Sequence, residues 1–218
     1  MISEQKKTVS AIVLFLISLY FWNSLWMFPV RLLTVFFHES SHGLAAVVTG
    51  GSIQKITVNM DESGCCWTLG GNRVIILSAG YLGSLIWGGL LLIIASRTDW
   101  DRMTLFLLGL ILISVSVIYV RNAGGLIFGI LFGLAILVFS KTFPNDYSDI
   151  FLRYLGVCSC LYVIMDIKSD LVDNSISGSD SFQLAQKLHL PDKLVGAVWL
   201  IVALFLTYKI LHFSLNKK

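Results

Sequence analysis

One stretch decides how this chain is organised: Arg31-Leu-Leu-Thr-Val-Phe-Phe-His38-Glu39-Ser-Ser-His42-Gly-Leu-Ala-Ala-Val-Val-Thr-Gly-Gly51. It is an apolar run about as long as a membrane span, and His-Glu-x-x-His lies near its middle. Residues four apart share one face of a helix, so His38 and His42 can offer two imidazoles to one ion. Zinc binds neutral imidazole nitrogens, and a neighbouring carboxylate can take a proton from water. The pattern predicts a zinc site with Glu39 as general base.

Chance is the alternative, because His-Glu-x-x-His also occurs on ordinary surface helices. The apolar setting argues against it. An ionisable side chain at bilayer depth costs on the order of 2.5–3.5 kcal/mol, and this segment carries three of them within five positions. A bound metal would offset that cost, so we favour a metal site.

Composition places the chain in a membrane. Of its 218 residues 56% are hydrophobic and only 13% are charged, unlike a soluble globular domain. A net charge of +3 without a basic block argues against nucleic-acid binding. The four cysteines form two local pairs and predict no disulfide framework. We predict a single integral membrane domain over residues 1–218, whose first apolar segment is retained and not cleaved as a signal peptide.

Seven apolar segments are candidate spans, which predicts an all-α polytopic membrane protein with six to seven transmembrane helices. The count falls to six if the first two segments behave as one bent hairpin or if one segment fails to cross. Lysine and arginine counts on alternate loops are nearly equal, so they do not determine the orientation. The segments are Ala11–Phe28, the motif helix from Arg31, Val74–Ser96, Met103–Val120, the glycine-rich run after Arg121, Ile150–Met165 and Leu194–Phe213.

A short β-hairpin is predicted directly after the motif helix. Residues 52–59 alternate apolar and polar side chains, residues 60–64 are typical of a turn, and residues 65–69 can return as a second strand. Two interpretations stay open. The hairpin is either an exposed edge that pairs with an extended peptide and delivers it to the metal, or a plain connecting loop at the membrane surface.

Asp166 is the predicted third metal ligand. A zinc that keeps one open position needs a third protein ligand, and no other acidic or histidine side chain after the motif lies so deep in an apolar segment. His42 lies about 12 Å from the hairpin end of its helix at 1.5 Å per residue. The span from Ile150 enters from the opposite face, which brings Asp166 to the hairpin side as well.

Other carboxylates remain as alternatives. Asp166 could instead be a helix-end carboxylate paired with Lys168, in which case Asp170 or Asp173 is the fallback ligand. Asp180 precedes a short predicted helix, residues 181–188. We interpret it as the N-cap of that helix or as a residue that hydrogen-bonds one of the metal ligands. Direct binding of the metal by Asp180 is a further fallback.

These motifs together resemble the site-2 protease class of intramembrane zinc metalloproteases, in particular its small B-type-like branch. The likeness runs from about Arg31 to Val198. It implies a zinc held by His38, His42 and a distal aspartate, with Glu39 activating water to cleave a peptide bond within or beside the membrane. The motifs are Phe36-Phe-His38-Glu39-Ser-Ser-His42-Gly-Leu-Ala-Ala46, Thr49-Gly-Gly51, Ser78-Ala-Gly80-Tyr-Leu-Gly83 and the late Asp166, here in Met165-Asp166-Ile167 and not in an Asn-Pro-Asp-Gly or Leu-Asp-Gly setting.

The expected function is therefore zinc-dependent hydrolysis of peptide bonds in membrane-embedded or membrane-proximal proteins. Two other classes stay open: a catalytically inactive relative that serves as a membrane scaffold, and a metal or proton transporter. A transporter should carry polar residues staggered over several spans, whereas this chain concentrates them in one helix and one helix end. The simple build suggests the bacterial inner membrane, and the expected partners are a membrane protein substrate and the lipid bilayer.

Overall fold

The computed structural model describes residues 4–172 and 178–215. Over those residues the chain forms eight helices and one two-stranded antiparallel sheet, which confirms a mostly helical fold with a small hairpin. The elements in chain order are α1 (Glu4–Tyr20), α2 (Phe28–Val48), β1 (Ser52–Val58), β2 (Gly64–Leu69), α3 (Arg73–Arg97), α4 (Asp101–Tyr119), α5 (Ala123–Thr142), α6 (Asn145–Val172), α7 (Asp180–Leu188) and α8 (Asp192–Leu215).

Five of the described helices are long and apolar enough to cross a membrane: α3, α4, α5, α6 and α8. The chain is thus an integral membrane protein by length and composition of its helices. Helix α1 has only 17 residues, and α2 carries the ionisable motif, so neither is among the five. The total of six to seven spans stays a prediction.

Helix α2 and the hairpin form as their local sequences dictate. Pro29 lies in the first turn of α2, where its missing N–H costs nothing. Gly50 has a φ of +86°, a conformation that favours glycine, and it turns the chain from α2 into β1. The strands pair Ile56 with Cys66 and Val58 with Gly64. Glu62, also at positive φ, closes the turn between them.

The centre of the protein is built on α2 and α3. Leu32, Leu33 and Phe36 of α2 are almost fully buried and belong to the largest apolar cluster. Helix α3 packs against α2, α6, α7 and α8, so it connects the motif helix to the end of the chain. A Cβ on Gly88 would lie 2.7 Å from the carbonyl oxygen of Gly156, which shows how closely α3 and α6 approach.

Helix α6 is longer than the sequence predicted. The apolar span was predicted to begin at Ile150, but α5 ends at Thr142 and α6 already begins at Asn145, with Pro144 between them. The other end runs to Val172, seven residues beyond the predicted end of the apolar span. Asp166 and Asp170 therefore lie inside a helix, one turn apart, and not at its end.

Candidate metal centre

The His-Glu-x-x-His motif lies on the inner side of α2. Its four-residue spacing brings the two imidazoles together, with ring centroids 4.8 Å apart and the rings nearly perpendicular. The side chain of His38 is 13% exposed and that of His42 is 8% exposed. Both rings are therefore held among packed helices, with little freedom to move.

The carboxylate that meets both imidazoles is Asp180. Its Oδ2 lies 2.9 Å from Nε2 of His38 and 2.9 Å from Nε2 of His42. Asp180 is the first residue of α7, and the helix is capped one residue earlier, where the Ser179 hydroxyl accepts a hydrogen bond from the backbone N–H of Phe182. The N-cap interpretation of Asp180 is thus wrong, because Ser179 has that role and leaves the aspartate free to reach α2.

These three side chains fit a zinc ion. One donor atom from each of His38, His42 and Asp180 can be chosen so that all lie within 4.8 Å of one another. Tetrahedral ligands about 2.0–2.1 Å from zinc lie roughly 3.3 Å apart, close to the spacing found here. Nδ1 of His42 lies 2.7 Å from the backbone carbonyl oxygen of Ile76, which can only accept, so Nδ1 carries the proton. The other nitrogen, Nε2, then presents a lone pair, as a metal ligand must.

The predicted ligand Asp166 does not belong to this set. Its Oδ2 lies 3.7 Å from Nδ1 of His38, the ring nitrogen that faces away from Asp180. Of the fallback ligands, Asp170 accepts a hydrogen bond from the hydroxyl of Tyr81, and Asp173 lies outside the described residues. The last fallback, Asp180, is the carboxylate placed for the ligand role.

Glu39 lies between the imidazoles and the hairpin. Only 6% of it is exposed, and its carboxylate accepts a hydrogen bond from the backbone of Cys66 on β2. A Cβ on Gly64 would come within 2.5 Å of Oε1 of Glu39, so the hairpin can approach this closely only because residue 64 has no side chain. The carboxylate is therefore held next to the metal ligands by the first residues of β2.

Gly80 of α3 lies against the donor atoms of the site, a position that its place in the motif Ser78-Ala-Gly80-Tyr-Leu-Gly83 did not indicate. A Cβ at this position would lie 2.5 Å from Oδ2 of Asp180 and would also overlap Nε2 of His38. Glycine lets the backbone of α3 pass directly beside the two donor atoms. The small residues Ala79, Gly80, Gly83 and Ser84 of α3 favour close approach of another element, but the sequence does not indicate which group approaches.

The site opens into a cavity of about 460 Å³. Its walls come from α2, the hairpin turn, α3, α6 and the start of α7, and they include His38, Glu39, His42 and Asp180. The exposed side chain of Arg73, at the start of α3, also lines it and donates a hydrogen bond to Gln183 of α7. The cavity is large enough for water and part of a peptide chain to reach Glu39 and the donor atoms.

Cys66 lines the same cavity. Burial and the negative charge of Glu39 raise the pKa of its thiol to about 12. A thiol with such a pKa is protonated at neutral pH, so without a bound metal Cys66 is a poor nucleophile.

A family model described as Peptidase M50B-like matches residues 10–210. No curated protein and no solved structure matches the chain. The matched range includes His38, Glu39, His42 and Asp180, so the likeness covers both parts of the chain that form the site.

Proposed function

The chain belongs to the Peptidase M50B-like family, of the site-2 protease class, and we propose that it is a zinc-dependent intramembrane metalloprotease. Its substrates are membrane-embedded or membrane-proximal proteins, whose peptide bonds it hydrolyses. One observation carries the proposal: Asp180 meets both histidines of the motif while Glu39 lies beside them in the same cavity. His38, His42 and Asp180 would hold the ion, and three protein ligands would leave a position for water or substrate, as in catalytic zinc sites.

The protein side of the mechanism is proton transfer by Glu39. Zinc, when bound, polarises the scissile carbonyl and makes water more acidic. The Glu39 carboxylate takes the proton of the attacking water and later gives it to the leaving amine, so the peptide bond breaks into an acid and an amine. The hydrogen bond from the Cys66 backbone keeps this carboxylate aimed into the cavity.

One edge of the hairpin is already occupied. The backbone N–H of Arg121 donates to the carbonyl oxygen of Ile56 at 3.0 Å, which extends β1 by a single bridge. The side-chain amide of Asn122 bonds both the N–H and the carbonyl of Val58, at 3.1 and 2.7 Å. The connection between α4 and α5 thus covers the outer edge of β1, and it leaves β2 as the edge for an added strand.

The outer edge of β2 faces the metal centre, because the Cys66 backbone there bonds Glu39. A substrate strand that pairs with β2 would lie along this edge, with its carbonyl groups beside Glu39 and the donor atoms. Pairing through main-chain hydrogen bonds accepts many sequences, and it requires the substrate helix to unwind locally. This supports the interpretation of the hairpin as a docking edge over that of a plain loop.

The test is cleavage by a Glu39→Gln variant that still binds metal. Purified wild type with zinc should cleave an unfolded model substrate such as casein and a tagged single-span membrane protein. Glu39→Gln should bind about one zinc per chain but cleave roughly 10²–10⁴ times more slowly, the usual worth of a general base. Ser40→Ala is a matched control on the same helix, because the Ser40 hydroxyl has no hydrogen-bond partner within the described chain.

Cleavage by Glu39→Gln at the wild-type rate would contradict this mechanism. Zinc-loaded wild type that cleaves neither substrate would favour the inactive scaffold instead.

A further inference from the structure

The two histidines of the site differ in how their second ring nitrogen is held. Nδ1 of His42 is fixed by the carbonyl oxygen of Ile76 at 2.7 Å. Nδ1 of His38 is buried and has no hydrogen-bond partner among the described residues. A histidine that binds a metal through one nitrogen almost always donates the N–H of the other to a carboxylate, a carbonyl or water. Nδ1 of His38 therefore needs a hydrogen-bond acceptor on the side of the ring that faces away from Asp180.

Asp166 lies on that side of the ring. Its Oδ2 lies 3.7 Å from Nδ1 of His38, about 0.8 Å longer than an ordinary N–H···O hydrogen bond. A hydrogen bond between them requires the carboxylate and the ring to come closer by this amount. The carboxylate is 29% exposed and the imidazole 13% exposed, so the pair lies at the cavity wall.

The same geometry argues that Asp166 is not a ligand of the ion held by Nε2. The lone-pair directions of the two imidazole nitrogens diverge across the ring. A carboxylate beside Nδ1 of His38 therefore lies on the other side of the ring from Asp180, which meets Nε2 at 2.9 Å. Asp180 completes the ligand set, and Asp166 lies behind one member of it.

A residue of helix α3 also packs against the His38 ring. The ring of Tyr81 packs edge-on against His38, with centroids 5.5 Å apart. The Tyr81 hydroxyl donates a hydrogen bond to Asp170, which lies one turn along α6 from Asp166. Asp170 thus holds the His38 ring indirectly, through the tyrosine, and it lies on the same helix as Asp166.

We propose that Asp166 is a positioning residue: it accepts the Nδ1–H of His38 and thereby directs Nε2 of that ring at the metal. The inference rests on the proposed function, because it assumes that His38 binds the ion. It assigns the two carboxylates different tasks. Asp180 determines whether the ion is bound, and Asp166 determines how tightly it is bound.

Metal affinity and metal stoichiometry separate these tasks without measuring activity. Zinc affinity would be measured by competition with a chromophoric chelator, in the purified full chain, for wild type, Asp166→Ala, Asp166→Asn and Asp180→Ala. Lys168→Ala is the matched control, since Lys168 is exposed on the same helix. Cobalt(II) substituted for zinc would report the ligand set by its visible absorption.

Asp166→Ala should still bind about one zinc per chain at saturation, with an affinity 10–100-fold weaker, the usual effect of removing such a partner. The zinc affinity should fall less in Asp166→Asn, because the amide oxygen of asparagine can still accept a hydrogen bond from Nδ1–H of His38. The cobalt spectrum should keep its wild-type shape in both Asp166 variants and change or vanish in Asp180→Ala.

Unchanged affinity in Asp166→Ala would overturn the inference. So would loss of stoichiometric zinc in both Asp166 variants while Asp180→Ala retains it, because Asp166 would then be the ligand. Either result leaves a metal centre in place. Failure of the proposed function looks different, since wild type itself would bind no zinc.

Discussion

Oδ2 of Asp180 lies 2.9 Å from Nε2 of His38, although 142 positions separate the two residues in the chain. The contact joins the first residue of the short helix α7 to the middle of α2. Helix α7 also packs Leu184 and Ala185 against Leu77 and Val195. Docking of α7 and assembly of the metal centre are therefore coupled, because the same helix supplies the carboxylate.

Removal of the metal should loosen α7. Zinc that binds only the folded site stabilises it by about 2.7 kcal/mol when its free concentration is 100 times the dissociation constant. Chelation should therefore speed amide hydrogen exchange over residues 180–188 and lower the melting temperature. Helices α4 and α5 provide the internal control, since they pack together away from α7. Exchange in α7 that is the same with and without zinc would contradict the coupling.

Gly80→Ala should damage the metal centre. The added methyl group would lie 2.5 Å from Oδ2 of Asp180, so either the carboxylate or α3 must move. We expect zinc affinity to fall at least about 10-fold and stability to fall by roughly 1–3 kcal/mol, as for overpacked sites. Gly178→Ala is the control, because a Cβ there meets nothing within 4 Å. Equal zinc affinity of the two variants would show that α3 does not approach the donors this closely.

Glu62→Gln should loosen the hairpin turn. Oε1 of Glu62 lies 2.6 Å from Nη2 of Arg31, whose side chain is only 9% exposed. Loss of this ion pair leaves a buried guanidinium without its carboxylate. The free energy of unfolding should fall by about 1–3 kcal/mol. This is less than for a fully buried ion pair, because the Glu62 side chain is 28% exposed.

Hydrogen exchange over residues 61–66 and alkylation of the exposed Cys65 should both become faster in this variant. The double variant with Arg31→Glu and Glu62→Arg is the control for the pairing, and it should recover part of the protection. No change in either rate in Glu62→Gln would mean that the ion pair does not hold the turn.

Alkylation of Cys66 should report the charge of Glu39. Burial and then that charge raise the pKa of the Cys66 thiol to about 12, so the reactive thiolate is scarce at pH 8. In a Cys65→Ser background, the alkylation rate should keep rising about tenfold per pH unit from pH 8 to 10, where an ordinary thiol with a pKa of about 8.5 levels off. Adding Glu39→Gln removes the charge, lowers the pKa and should raise the rate at pH 8. An alkylation rate at pH 8 that is the same with and without Glu39→Gln would contradict this placement of the carboxylate.

The local parts of the site could be predicted from the sequence. The His38 and His42 pair follows from four-residue spacing on one helix, and the hairpin follows from alternation and glycine turns. Both depend on residues close together in the chain, where backbone geometry decides the outcome.

The carboxylate that meets both imidazoles could not be predicted in this way, because its position depends on how distant elements pack. The depth argument brought Asp166 to the correct side of the protein, where its Oδ2 lies 3.7 Å from Nδ1 of His38, but depth alone does not decide which carboxylate meets Nε2. Asp180 was interpreted as a cap or a partner of a ligand since it precedes a short predicted helix, but Ser179 supplies the cap. Only the packing of α7 against α3 and α8 brings Asp180 to α2.

The most direct measurement is the zinc content of the detergent-purified chain, compared with His38→Ala, Asp180→Asn and Asp192→Asn. Asp192 is the matched control, because it is also the first residue of a helix but is exposed on α8. We predict about one zinc per chain in wild type and Asp192→Asn, and loss of zinc in His38→Ala and Asp180→Asn. Wild type without zinc after zinc is supplied, or Asp180→Asn that retains it fully, would contradict this metal centre.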